Sequence, residues 1–147
     1  HHTEIGYNYR MSNVLAAIGI GQMEVIEDRI KRTREINETY RKELSDYFYS
    51  FQSESDNDRS NCWLTCAVLK AEDRPDDFIA HLEKDNIEAR RIWKPMHQQP
   101  ILTEYRKYIN GNSALLFLQG ICLPSGSNMT NADLKRVIKS IKTFFDK

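Results

Sequence analysis

The chain has 147 residues, of which 40% are hydrophobic and 29% charged, and its 21 basic and 21 acidic side chains cancel to a formal net charge of zero. That is the composition of one ordinary globular domain, and it removes any bulk electrostatic case for a nucleic-acid or membrane-surface partner. Cys62, Cys66 and Cys122 are odd in number and form no CxxC pair, so they read as buried thiols, with structural zinc a distant second and no metal site expected.

The chain opens on polar loop chemistry, with His1 and His2 either native or the remnant of a tag, as if it were a piece of something longer. Gly6-Tyr7-Asn8-Tyr9-Arg10-Met11-Ser12-Asn13 runs straight into apolar Val14-Leu15-Ala16-Ala17-Ile18. Ser12 or Asn13 can cap a helix there. The first N–H groups of that helix, with the Asn8 amide and the Arg10 guanidinium just upstream, suit an anion. Residues 12–23 read as a short buried or intersubunit helix, and Gly19 and Gly21 predict a tight packing surface, a kink or a break. From Glu24 to about Leu44 the pattern is a long amphipathic helix. Ile26, Ile30, Ile36, Tyr40 and Leu44 share roughly one side, and mixed charges, including the i,i+4 pair Glu38 and Lys42, occupy the rest. Residues 52–61, rich in Ser, Asp and Asn, form a polar loop.

Beyond that loop, Cys62 to Leu69 has the length and side chains of a buried strand. Pro75 starts a helix through Lys84 in which His81 is a surface or packing residue, and Glu88 to Trp93 is a second strand. A helix joining two strands predicts a βαβ-like or split β-α-β unit. Residues 101–108 read as a short helix, Ser113 as the cap of a helix through Leu118 that Gly120 ends, and Ile121 to Pro124 as a third strand. Thr130 caps the last helix with Asp133 in a capping-box position, and Leu134, Val137, Ile138, Ile141 and Phe144 or Phe145 form its inward stripe. The result is an α+β fold with a short, three-stranded, mainly antiparallel sheet packed with helices and preceded by a long helix. No apolar run is long enough for a bilayer and no signal-peptide pattern is present, so a cytoplasmic location without a membrane partner is expected.

A second concentration of chemistry lies at Arg90-Arg91-Ile92-Trp93-Lys94-Pro95-Met96-His97-Gln98-Gln99-Pro100. Two prolines stiffen a segment of cations, an aromatic, a histidine and amides at a strand end, where a phosphorylated ligand would find charge-assisted donors and an aromatic wall. Composition alone favours a plainer reading. Arg90 and Arg91 alternate across a strand, Trp93 packs in the core, and His97 faces solvent.

Residues 6–13 with Ala16-Ala17-Ile18-Gly19, then Arg90 to Pro100 with its Trp-Lys-Pro-Met-His, then Leu118 to Gly126 with Leu123-Pro124, resemble in order and spacing the second half of the DegT/DnrJ/EryC1/StrS family of pyridoxal-phosphate-dependent sugar aminotransferases. The resemblance implies the small C-terminal domain of a type I aminotransferase fold, with residues 1–23 linking from a large domain and residues 24–147 forming the small one. The cofactor-bearing lysine, the acid at the pyridine nitrogen and the residue stacked on the ring belong to that large domain, so this chain carries no catalytic residue of its own. The resemblance further implies that Asn8 reaches the cofactor phosphate across a homodimer, and that Arg10 and His97, with Trp93 and Lys94 less directly, meet the substrate. That substrate is a nucleotide-linked keto-sugar, with glutamate as amino donor and pyridoxal phosphate in the full-length enzyme only. The alternatives are a family dehydratase, in which histidine replaces the lysine, and a non-catalytic dimerisation or ligand-binding module.

Overall fold

The computed structural model describes residues 7 and 9–146. Five helices and four strands follow in the order α1 (Asn13–Glu24), α2 (Ile26–Leu44), β1 (Ser50–Phe51), β2 (Thr65–Val68), α3 (Pro75–Lys84), β3 (Arg90–Arg91), α4 (Asn112–Gln119), β4 (Gly120–Leu123) and α5 (Asn131–Phe145). Each strand pairs antiparallel with its neighbours in the spatial order β1-β2-β4-β3. Because β2 and β3 both run against β4, they are parallel to each other with β4 inserted between them. The expected split β-α-β unit is therefore present, formed by β2, α3 and β3. The fourth strand was not expected: Ser50 pairs with Val68 and Phe51 with Ala67, adding a short edge to the sheet.

The core forms where one face of this sheet meets α2, α3 and α5. Ala67, Ile121 and Leu123 from the strands are buried against Ile36, Tyr40 and Leu44 of α2, Phe78 and Leu82 of α3, and Leu134, Val137, Ile138 and Ile141 of α5. Phe48, Phe78, Phe144 and Phe145 close one end through edge-to-face contacts, Phe78 to Phe144 having ring centroids 5.2 Å apart. The Tyr40 hydroxyl donates to the Pro124 carbonyl at 2.9 Å, which satisfies the one polar atom this buried ring carries. Burial pushes its pKa upward. At α5 the capping box is complete: Asp133 N–H donates to Thr130 Oγ1 at 3.1 Å and Thr130 N–H to Asp133 Oδ2 at 3.0 Å.

Several local expectations are corrected. Gly19 and Gly21 do not break α1, which is continuous from Asn13 to Glu24, and a Cβ at either glycine would meet nothing among the described residues. The break between helices falls one residue further on, at Val25, where ψ rises to 4°. Glu38 and Lys42 are not among the ion pairs of the described residues. Within α2 the pair is Arg32 with Glu35 at 3.4 Å, and other α2 charges reach across the fold, Arg34 to Glu54, Glu27 to Arg59 and Glu43 to Lys142, each at 3.0 Å. Cys62 has φ 49°, which ends any extended run, so β2 starts only at Thr65. Residues 101–108 hold no α-helix; two 3-10 turns, Met96–Gln98 and Pro100–Leu102, precede irregular chain. Gly111, with φ 86°, takes the N-cap position expected of Ser113. Gly120 does end α4, its backbone turning extended at φ −86° and ψ 138°, and a Cβ there would collide with the Leu116 carbonyl and the Ile92 side chain.

Candidate functional site

The polar concentration at the chain start sits at the N-terminus of α1. Ser12 caps it, its hydroxyl accepting from Leu15 N–H at 3.3 Å, because an extended Ser12 places its Oγ over the first free backbone donors. Arg10 is exposed just before the cap. Asn8, expected at a cofactor phosphate, lies outside the described residues. α1 leads into α2 through Val25, and none of its own residues is buried.

The second concentration follows β3 and is pulled apart by the strand it leaves. Arg91, on the helix-covered face, pairs with Asp76 of α3 at 2.9 Å and reaches the Phe117 carbonyl at 3.4 Å, so its guanidinium is engaged by α3 and α4 although the residue borders the Trp63–Trp93 concavity. Its guanidinium, through a side-chain hydrogen bond first, holds the Asp76 carboxyl below the usual range. Arg90 projects to the opposite face and pairs with Glu88. Trp93 is not in the core. It is 64% exposed, as is Trp63, and their ring centroids lie 6.1 Å apart at a 31° tilt. The strand ends after Arg91 and the chain turns outward towards Pro95, which leaves the indole on the rim.

The Trp63 and Trp93 rings border one concavity with Arg90, Cys122 and Ser125. Lys94 is exposed beside it, its carbonyl accepting from Gln99 Nε2 at 3.3 Å. His97, half-buried on the first 3-10 turn, borders a second, open cavity of about 380 Å³ with Met96, Tyr105, Arg106 and Tyr108. The Arg106 guanidinium stands 4.9 Å from the Tyr108 ring centroid. The structure thus brings Trp93 to Trp63, and His97 to an aromatic and cationic wall. Arg10 borders neither cavity. Trp63 and the Tyr105 to Tyr108 wall were missed. The signal for Trp63 was an aromatic at a strand entry, which a buried-strand reading absorbed.

His81 is a packing residue: its Nε2 lies 3.0 Å from the Ser140 carbonyl and its ring touches Phe144. Among the described residues no group of three or more His, Cys, Asp or Glu is placed to hold a metal ion, and no helix is long and apolar enough to cross a membrane.

Comparison with known proteins covers the whole of this architecture. The family described as the DegT/DnrJ/EryC1/StrS aminotransferase family matches residues 1–142. The chain is 41% identical to Bacillus subtilis EpsN, named as a pyridoxal phosphate-dependent aminotransferase, over 98% of this chain and 38% of that protein. It is 34% identical to the GDP-perosamine synthase of Vibrio cholerae, over 99% of this chain and 40% of the relative. A DegT DnrJ EryC1 StrS aminotransferase from Brucella abortus superimposes with a TM-score of 0.85 at 23% identity, over 100% of this chain and 39% of that one. The chain spans about two fifths of the length of the curated relatives it matches. Its α+β architecture is a part of the type I aminotransferase fold.

Proposed function

The chain belongs to the DegT/DnrJ/EryC1/StrS aminotransferase family, and on that premise we propose that it is the C-terminal part of a pyridoxal-phosphate enzyme that converts a nucleotide-linked keto-sugar into an amino-sugar. Glutamate is the amino donor, and two subunits share each site. The observation that carries this reading is the run of the family match through both polar concentrations, in a chain two fifths as long as its relatives. Residues 1–23 link to a large domain, and residues 24–147 are the small one.

The donor set here suits phosphates and sugar hydroxyls. Pyridoxal phosphate, when bound, supplies an electrophilic carbonyl and an electron-sink ring. The Asn8 amide would donate to its phosphate from the neighbouring subunit. Arg10 offers a planar fork for a diphosphate or sugar oxygen, and Lys94 a point charge for the same groups. His97 can donate to or accept from a sugar hydroxyl, according to its tautomer. Trp93 supplies a flat apolar wall. None of these groups moves a proton at the reacting carbon, so the isolated chain lacks the reaction.

The test uses the full-length protein. Arg10→Ala and His97→Ala are expected to raise KM for the nucleotide sugar or lower kcat by roughly tenfold, about 1.4 kcal/mol of transition-state stabilisation, while leaving the cofactor absorbance intact. Asn8→Ala is expected to weaken cofactor retention. Unchanged kinetics in the first two would return them to a structural role, and turnover by this chain alone would overturn the reading of it as a fragment.

A further inference from the structure

Two thiols that the proposed reaction does not use face each other across the two central strands. Cys66 of β2 and Cys122 of β4 are directly opposed, with Sγ atoms 3.7 Å apart. Their position in the ladder follows from one hydrogen bond. Leu69 N–H donates to the Gln119 carbonyl at 2.9 Å, which makes that opposed pair a hydrogen-bonded one. Alternation along the strands then puts Ala67 and Ile121 in the same class and leaves Cys66 and Cys122 at a narrow, non-hydrogen-bonded position. Cα atoms at such a position are roughly 4.5 Å apart, within the span of about 4.4–6.8 Å that a disulfide needs.

Both side chains lie on the face of the sheet turned away from the core, since Ala67 and Ile121 next to them point inward. Cys66 is half-buried and Cys122 is 8% exposed. Across β4, Arg90 stands directly opposite Cys122 and is held by Glu88. On the other side Gln52 N–H donates to the Cys66 carbonyl at 3.0 Å, and Arg59, itself paired with Glu27, borders the same cavity as Cys66. The two thiols share an S–H···S hydrogen bond, which draws the Cys66 thiol below its ordinary value against the opposing effect of burial. The same bond, with burial behind it, pushes the Cys122 thiol up.

We propose that Cys66 and Cys122 form a dithiol site that low-molecular-weight disulfides oxidise to a cross-strand disulfide, with Cys66 attacking and Cys122 resolving. The Cys66 thiolate attacks one sulfur of the small disulfide, forming a mixed disulfide and releasing one small thiolate. Cys122 then gives its proton to solvent, and its thiolate attacks the Cys66 sulfur. The protein disulfide forms, and the second small thiolate leaves. The two protein thiols lose two electrons and two protons, and the small disulfide gains them as two small thiols. The site is independent of the aminotransferase reading.

The experiment exposes the chain carrying Cys62→Ser to glutathione disulfide near neutral pH, quenches in acid, alkylates, and maps peptides without reduction. A linked Cys66–Cys122 peptide in monomeric protein is expected. Cys122→Ser should stop at a glutathione adduct on Cys66, and Cys66→Ser should leave Cys122 unmodified. Alkylation of the chain carrying Cys122→Val gives a second measurement. Near neutral pH, losing the S–H partner should lower the thiolate fraction of Cys66 by more than the rise in reactivity of each thiolate restores, because nucleophilicity changes with only about half the slope of basicity, so alkylation should slow. Both cysteines still free after oxidation, an adduct collecting on Cys122, or equal alkylation rates would overturn the proposal.

Discussion

Helices α5 and α1 are both rich in apolar side chains, and they meet opposite fates. Along α5, Leu134, Val137, Ile138 and Ile141 recur at helical spacing between Lys135, Arg136, Lys139 and Lys142, so one stripe can be buried while the rest stays in water, and it is. In α1, Val14, Leu15, Ile18, Ile20 and Met23 are joined by Ala16, Ala17, Gly19 and Gly21, and no polar face exists to turn outward. None of its residues is buried, and Val14 is 70% exposed. α4 repeats the pattern, with Leu115, Leu116 and Leu118 all exposed. A helix apolar all round belongs inside something. The contrast separates elements covered within the chain from elements left uncovered among the described residues, and α1 and α4 adjoin the two polar concentrations.

The sharpest way to break that contrast is to truncate one large apolar side chain in each region. Phe78 is fully buried among Phe48, Phe144 and Phe145, so Phe78→Ala should destabilise the chain by about 3–5 kcal/mol, read from the urea midpoint. Ile18→Ala in α1 should stay within roughly 0.5 kcal/mol in the same assay, because the side chain remains 56% exposed in the folded chain. A comparable loss from Ile18→Ala would place α1 in the core and end the distinction.

What could be read from residue order divides along the same line. The capping box at Thr130 and Asp133, the start of α3 at Pro75 and the stripe of α5 are local devices, carried by residues three or four apart, and all were legible. β1 was not, because Tyr47 to Phe51 has side chains that suit strand, helix or core equally, and only pairing with β2 decides. Nor could composition choose a face for Trp93. Its exposure follows from where β3 ends and from a ring thirty residues upstream. The opposition of Cys66 and Cys122 depends on a register between strands far apart in sequence. Of the candidate site, the resemblance supplied Asn8, Arg10, Trp93, Lys94 and His97, whereas geometry alone added Trp63 and the wall around His97 and tied the Arg91 guanidinium to Asp76.

A smaller effect sharpens the comparison from the core side. Tyr40 is buried with its hydroxyl bonded to Pro124, and Tyr40→Phe should cost about 1 kcal/mol by leaving that carbonyl without its donor. The pH dependence has a definite sign. Burial raises the folded-state pKa above its ordinary value of 10.0, so the unfolded chain loses this proton first. The stabilisation is complete below that value and is lost as pH rises past it. The alkaline fall in stability should therefore be shallower in Tyr40→Phe, and an identical pH profile would mean that the hydroxyl is hydrated.

A last pair of variants tests whether local order in α5 stands apart from its packing. Thr130→Ala removes the acceptor for the Asp133 N–H and should cost about 1 kcal/mol. The Asp133 carboxyl is held below its ordinary range, first by the Thr130 hydroxyl and then by the Thr130 N–H. Its contribution is present above the unfolded carboxylate pKa and lost as pH falls through the folded one, so the wild-type advantage over Thr130→Ala should narrow in acid. The matching change in α1, Ser12→Ala, removes a cap of the same kind from a helix with no buried residue. Cooperative unfolding of the core should not register it, while the helical circular dichroism signal should fall slightly before the main transition. Equal shifts of the main transition would show that α1 and α5 unfold as one unit, and the contrast between them would then be one of exposure without a difference in coupling.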